Sequence, residues 1–197
     1  GSAVKPLSLA AFHRRERVRC TGHLSIGGRR LDCIHPPLDE PLDAETALAM
    51  SCNSWFAAMA RLADPAELAS TLSHAGAEAA LAHDVAGLQL QALGLERVRF
   101  TPLALATAYR RIALHGEAVV RTGLRRAAEQ GTAQLARPEG LAIAGKTGTA
   151  NGAAWFAGFA PADAPRVVVV VQLTCGRGGA DAAPLAREVF AWWRASH

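Results

Sequence analysis

The hydrophobic pattern changes its period once along the chain. From residue 2 to about 130, apolar positions recur three and four apart between short polar breaks. From about 140 the runs shorten and fill with β-branched and aromatic residues. Residues 2–13 read as a helix with Pro6 in its first turn, where proline is tolerated. Residues 17–42 read as a hairpin turning at Gly27-Gly28, then a proline-rich loop. "DAETALAM" is a short helix capped by Asp43, "SCNS" breaks it, and "WFAAMARLA" resumes helical spacing. "DPAELASTLSHAG" and "TPLALATAYRRIALHG" share one grammar: a capping Asp64 or Thr101, a proline in the first helical position, and a glycine stop. "TGLRRAAEQG" adds one more short helix. Three consecutive strands are predicted at 141–150, 153–160 and 166–174. A closing amphipathic helix at 181–195 is expected to lay Leu185, Val189, Phe190 and Trp193 on them. The pattern predicts an α+β fold in one domain: an all-helical lobe at about 43–130, and an antiparallel sheet with its closing helix at about 140–197.

Composition bounds this picture. Of 197 residues, 50% are hydrophobic and 19% charged, enough for a real core. No apolar run reaches the ~18 residues that span a bilayer, and no secretory signal pattern opens the chain. The start reads as the inside of a domain, so upstream sequence, with any export signal or anchor, is expected to be missing. The net charge of +4 comes from scattered basic residues with few interleaved aromatics, which reads as a solvated surface and argues against nucleic acid as a partner.

The cysteines are Cys20, Cys33, Cys52 and Cys175. Cys20 and Cys33 sit at matching ends of the hairpin, a disulfide candidate in an oxidising compartment. Free thiols are the alternative. So is a zinc set of Cys20, His23, Cys33 and His35, although that spacing fits no standard finger. The histidines follow no His-x-x-x-His spacing, so they read as surface or core residues and no metal is expected.

Three polar islands interrupt the apolar pattern at element boundaries. In Ser2-Ala3-Val4-Lys5, residues three apart share a helix face, so the Lys5 amine can reach the Ser2 hydroxyl. A serine becomes a good nucleophile when a base takes its proton, and a lysine serves when its pKa is lowered. In Ser51-Cys52-Asn53, two side chains on a tight loop can enter one cleft; the plainer reading is a helix-capping serine. In Lys146-Thr147-Gly148-Thr149, on a predicted strand, Gly148 lets another backbone approach, and the lysine and threonines suit a carboxylate. A lysine between two apolar runs is costly to bury without a partner.

Taken together, the order Ser-x-x-Lys, Ser-x-Asn, Lys-Thr-Gly resembles the active-site set of penicillin-interacting serine enzymes. "GSAVKPL", "ALAMSCNSWFAAMA", "RFTPLALATAYRRIALHG" and "IAGKTGTANGAAWFAGFAPADAPRVVVVV" resemble the corresponding segments of penicillin-binding protein transpeptidases, class B-like, over most of the chain. Residues 77–98 look shortened against that family, "LGLER" replaces its Gly-Gln-Gly, and the strands it carries before the nucleophile are lacking. One sheet edge is therefore expected to lie bare and to meet an upstream segment, a partner chain or another copy.

The resemblance implies a β-lactamase/transpeptidase-like fold with the active site between lobe and sheet. It implies that Ser2 attacks the carbonyl between two D-alanines of a peptidoglycan stem peptide while Lys5 takes its proton. Ser51 would relay a proton to the leaving nitrogen, and Asn53 would bind substrate and hold Lys5. Lys146 would polarise Ser51 and lower the pKa of Lys5. Thr147, Gly148 and Thr149 would receive the terminal carboxylate, and the backbone N–H groups of Ser2 and Thr149 would form the oxyanion hole. It implies β-lactams as covalent inhibitors, no cofactor, and an extracytoplasmic location. A serine β-lactamase or D,D-carboxypeptidase on the same scaffold, and a non-catalytic peptidoglycan- or partner-binding domain, stay open at this point.

Overall fold

The computed structural model describes residues 1–197. A 3₁₀ turn at Ser2–Val4 runs directly into α1 (Lys5–Ala10), with Pro6 in its first turn. This helix ends earlier than its apolar pattern predicts. Ala11 and Phe12 donate their N–H groups to Ser8 and Leu9, tightening the last turn. The hairpin is short: β1 (Ser25–Ile26) pairs antiparallel with β2 (Arg29–Arg30). Its two-residue turn holds Gly27 at φ 55° and Gly28 at φ 75°, left-handed conformations that glycine adopts without steric cost.

The disulfide expected across this hairpin is not formed. Cys20 Sγ and Cys33 Sγ stand 3.5 Å apart as thiols, far beyond a bonded pair at about 2.05 Å. The physical reason is a third sulfur: Cys33 Sγ is also 3.7 Å from Cys52 Sγ, so it is drawn toward both.

Next come α2 (Ala44–Ala49), α3 (Asn53–Ala60) and α4 (Pro65–His74). Asp43 caps α2 by accepting from Thr46 N–H, and Asp64 caps α4 by accepting from Ala66 and Glu67. In place of a serine, Cys52 caps α3, its sulfur accepting from Trp55 N–H. The shortened stretch at 77–98 still forms structure: α5 (Val85–Ala92) lies between β3 (Glu78–Ala79) and β4 (Val98–Arg99), which pair with each other. Then α6 (Pro102–His115) follows its Thr101 cap, and α7 (Ala118–Gln130) begins earlier than predicted.

The sheet has the order β5 (Ala144–Ala150), β6 (Ala153–Ala160), β7 (Val167–Leu173), all antiparallel. Lys146 lies opposite Ala157, and Gly148 opposite Trp155. Alternate residues feed two cores. Ala157, Phe159, Val168 and Val170 face the helical lobe, whose centre holds Phe12, Leu48, Trp55, Phe56 and Tyr109. Ala154, Phe156, Ala160 and Val169 face the closing helix α8 (Ala183–Ser196). Cover on both faces explains why the strands read as near-continuous apolar runs. The outer edge of β7 has no strand neighbour. No helix is long and apolar enough to cross a membrane.

The face of α8 differs from expectation. Phe190 is fully buried and meets Phe156 edge-on at 6.1 Å, alongside Ala183 and Ala186. Leu185 and Val189 instead stand 47% and 41% exposed, and Trp193 stacks on His197. A π-helical turn at Gly178–Ala182 leads into the helix, whose small alanines face inward while the larger leucine and valine do not. Phe190→Ala is expected to lower unfolding stability by about 3–5 kcal/mol. Leu185→Ala should stay within about 0.5 kcal/mol. Urea denaturation of both variants checks this, and equal losses would contradict the observed face.

Candidate active site

Close backbone packing brings the nucleophile turn to the third motif. A Cβ on Gly148 would stand 2.8 Å from Ala3 N and 3.4 Å from Ser2 N, a clash, so only glycine lets β5 lie against this turn. From the opposite side the fully buried Tyr109 hydroxyl donates to Ala3 O at 2.8 Å. The turn is thus clamped between α6 and β5, with the Ser2 side chain lining a cleft of about 530 Å³.

Lys5 stands at the start of α1, fully buried. Its Nζ donates to Asn53 Oδ1 at 2.6 Å, Ser51 O at 2.8 Å and Ser51 Oγ at 3.3 Å, so its bonds go to the middle motif. The Phe56 ring lies 5.3 Å away. Burial lowers the Lys5 pKa from 10.5 to about 8, and the sulfurs of Cys52 and Cys33 oppose that shift.

The loop between α2 and α3 aims these acceptors. Ser51 adopts φ 57°, a left-handed conformation that costs a serine about 1–3 kcal/mol. With the chain turned this way, the Ser51 carbonyl and hydroxyl both accept from Lys5. Asn53 opens α3, and its amide is fixed at both ends: Nδ2 donates to Leu31 O at 2.9 Å and Asp32 O at 3.3 Å while Oδ1 accepts from Lys5.

Lys146 is also fully buried and faces the cleft from β5. It donates to Thr147 O at 3.1 Å and Thr132 Oγ1 at 3.3 Å. Burial, and then repulsion from Lys5, holds its pKa well below the ordinary lysine range. This ordering differs from expectation. Burial, rather than Lys146, is the main cause of the Lys5 shift, and Lys5, with three well-placed acceptors, holds a proton better than its neighbour.

Thr147 and Thr149 complete the strand. Thr147 Oγ1 donates weakly to Thr132 O at 3.5 Å. Thr149 is exposed, and its hydroxyl accepts from Gly178 N–H at 2.9 Å. All eight residues predicted for the site therefore lie in or directly beneath one cleft: Ser2, Ser51, Asn53, Thr147, Gly148 and Thr149 line it, and Lys5 and Lys146 support it from below. A larger hollow of about 650 Å³ behind the Ser2 turn, beside Val4, Arg99 and Trp155, contains none of these polar groups.

Sequence reasoning missed five residues at the cleft: Gly179 and Ala180, close to Arg177 in the chain, and three with larger side chains. Thr132 follows α7 and touches both Lys146 and Thr147. Arg177 lies beyond β7, and Ile34 stands 85% exposed on the loop after the hairpin. The signals were faint: glycines beside Thr132 and Arg177 in "GT" and "CGRGG". Glycine is needed at Gly131, where a Cβ would lie 2.2 Å from Ala49 O.

Behind Asn53, the Cys20, Cys33 and Cys52 sulfurs and a His35 ring nitrogen converge within 4.8 Å of one another. His23, counted in the sequence-based set, is absent; it lies out on the surface, 3.5 Å from Asp32. Hydrogen bonding from Cys52, against the opposing effect of burial, pulls the Cys33 thiol below the ordinary thiol range.

Comparisons with known proteins point to one family and one fold. A family profile described as "Penicillin binding protein transpeptidase domain" matches residues 1–191. The chain is 39% identical to penicillin-binding protein PbpB of Mycolicibacterium smegmatis over 88 residues, which take in 35% of this chain and 14% of that protein. It superposes on Pseudomonas aeruginosa PBP2, solved in complex with WCK 5153, with TM-score 0.81 at 21% identity, covering 98% of this chain and 60% of that one. The D,D-transpeptidase domain of a peptidoglycan glycosyltransferase from Eggerthella lenta gives 0.78 at 20% identity, covering 100% and 65%. Penicillin-binding protein A from M. tuberculosis, as its imipenem acyl-enzyme, gives 0.76 at 24% identity, covering 97% and 59%. The chain thus spans less than two thirds of each of these relatives, and the structural likenesses speak to the fold. With the profile spanning nearly the whole chain and its three motifs gathered on one cleft, the chain belongs to the penicillin-binding protein transpeptidase family.

Proposed function

We propose that this domain is a peptidoglycan D,D-transpeptidase working through an acyl-enzyme on Ser2. The observation that carries the reading is the convergence of Ser2, the Lys5–Ser51–Asn53 network and the Lys146–Thr149 strand on one cleft. Ser2 Oγ attacks the carbonyl carbon between two D-alanines, and its proton passes to Lys5. Lys5 is already bonded to Ser51 Oγ, so the proton has a route to the leaving nitrogen. The backbone N–H groups of Ser2 and Thr149 face the developing oxyanion, where one donor is typically worth about 3 kcal/mol. Arg177 and the threonine hydroxyls receive the terminal carboxylate. The substrate's extended backbone lies along β5 as an added strand. A second stem peptide's amine then takes the acyl group. β-Lactams mimic the D-alanyl-D-alanine end and stop at the acyl-enzyme. The setting is extracytoplasmic, where stem peptides are found, and the open edge of β7 accepts a further strand from an upstream segment, a partner or another copy.

A hydrolase reading needs a base to activate the deacylating water, and none of the residues lining the cleft is acidic. The expected acyl-enzyme is therefore long-lived. A fluorescent penicillin should label the wild type and not Ser2→Ala, and peptide mass spectrometry should place one adduct on the Ser2 peptide. Labelling of Ser2→Ala would overturn the nucleophile assignment; rapid loss of label would favour the hydrolase.

Lys5 must be neutral to accept a proton. The labelling rate should rise with pH, levelling above about 8, and fall about tenfold per unit below that. Lys5→Arg, which cannot release its proton, should abolish labelling. A flat profile between about pH 6 and about pH 9 would remove Lys5 from the base role. Stability carries the same sign. The folded state lowers this pKa, so it binds fewer protons, and unfolding free energy should increase from about pH 8 to 10.5.

A further inference from the structure

We propose that Cys20, Cys33, His35 and Cys52 form a closed zinc(II) site that fixes the middle motif of the active site. Three observations carry this. The first is spacing. The four donor atoms lie within 4.8 Å of one another, with sulfur–sulfur distances of 3.5 Å and 3.7 Å where the sulfurs touch. A tetrahedral zinc with Zn–S bonds of about 2.3 Å places its sulfurs roughly 3.8 Å apart, so the thiols already stand at the corners of the right polyhedron.

The second is His35. Its Nδ1 lies 2.8 Å from Pro36 O and can only donate there, which leaves the lone pair on Nε2. Nε2 is buried and has no hydrogen-bond partner. A histidine anchored through one nitrogen to a carbonyl, with the other held bare, is the arrangement of a metal ligand.

The third is the shell around the sulfurs. Each accepts a backbone N–H: Cys20 from Gly22 at 3.4 Å, Cys33 from Asn53 at 3.2 Å, and Cys52 from Trp55 at 3.4 Å. Such donors stabilise thiolate ligands. Three thiolates and an imidazole select zinc over hard cations, and four protein ligands leave no position for substrate, so the site is structural. As each Zn–S bond forms, the thiol gives its proton to water.

The ion would sit where three otherwise separate segments meet. Cys20 enters the hairpin, Cys33 and His35 leave it, and Cys52 stands between Ser51 and Asn53. Asn53 gives its N–H to Cys33 and its side-chain amide to Leu31 and Asp32, all on the hairpin strap, and then accepts from Lys5. Zinc would therefore hold the asparagine that holds the lysine, a positioning role. A Cys20–Cys33 disulfide would instead leave His35 Nε2 without a partner and the Cys52 sulfur with only the Trp55 N–H.

Thiol counting and metal analysis test this without reference to acylation, so the site stands or falls apart from the proposed activity. Protein purified without chelators should carry about one zinc per chain. Its thiol reagent count should be one, from the exposed Cys175, rising to four after chelation and unfolding. Cys52→Ser and His35→Ala should each weaken zinc affinity by at least about tenfold, while His23→Ala should not. If a ligand variant fails to fold, reversible loss and recovery of thermal stability in the wild type on chelation and zinc return gives the same answer. Stripped protein should also label with fluorescent penicillin more slowly and recover with zinc. A zinc-free protein with Cys20 and Cys33 linked on non-reducing peptide mapping would overturn the site, as would zinc bound equally well by the Cys52 and His35 variants.

Discussion

Two lysine amines buried close enough to repel one another are the constraint on which the rest of the site depends. Lys5 and Lys146 are both fully buried. An ammonium placed there must find acceptors or give up its proton, and each proton removed from one amine eases the other. The chain meets this demand unequally. Lys5 receives a carbonyl, a hydroxyl and an amide oxygen, while Lys146 has a hydroxyl and its neighbouring carbonyl. The inequality favours the charged form of Lys5 over that of Lys146, while burial holds the pKa of Lys5 near 8.

Much of the unusual backbone follows from serving Lys5. Ser51 takes a left-handed conformation that a serine ordinarily avoids, and the result is a carbonyl and a hydroxyl turned onto one amine. Gly148 and Gly178 serve the other wall. A side chain on the first would strike the Ser2 turn, and one on the second would strike Gly148 O at 2.4 Å. The cleft is therefore made of backbones in close contact, with reactive side chains projecting from rigid elements in place of mobile loops.

The hairpin strap extends this order outward. It has little regular structure, with two residues in each strand, and much of its surface is exposed. Its fixed points are Cys20, Cys33 and His35 at the base, where they meet Cys52, and the neighbouring Leu31 and Asp32 carbonyls, which accept from the Asn53 amide. So small a strap would be a loose support for the asparagine that holds Lys5 unless its base were held. The convergence of three sulfurs and an imidazole answers that need in the same place.

The sequence by itself determined the elements and the motifs. Asp43, Asp64 and Thr101 announced the helices they cap, because capping is a local bond between a side chain and an amide three residues on. The three strands and their order after the helical middle were legible from β-branched runs, and Ser2, Lys5, Ser51, Asn53 and Lys146–Thr149 from their spacing and family likeness. Only the tertiary structure decided which distant groups meet. Local pattern could not set the rotation of α8, which packs its alanines and Phe190 inward, nor reveal Thr132 and Arg177, which reach the cleft from elements far along the chain. It paired Cys20 with Cys33 because they are neighbours in the hairpin, while the fold keeps His35 beside them and puts Cys52, from another loop, where the sequence had offered His23. Bonds within a few residues are written in sequence, whereas contacts across dozens of residues depend on how the packed core orients each element.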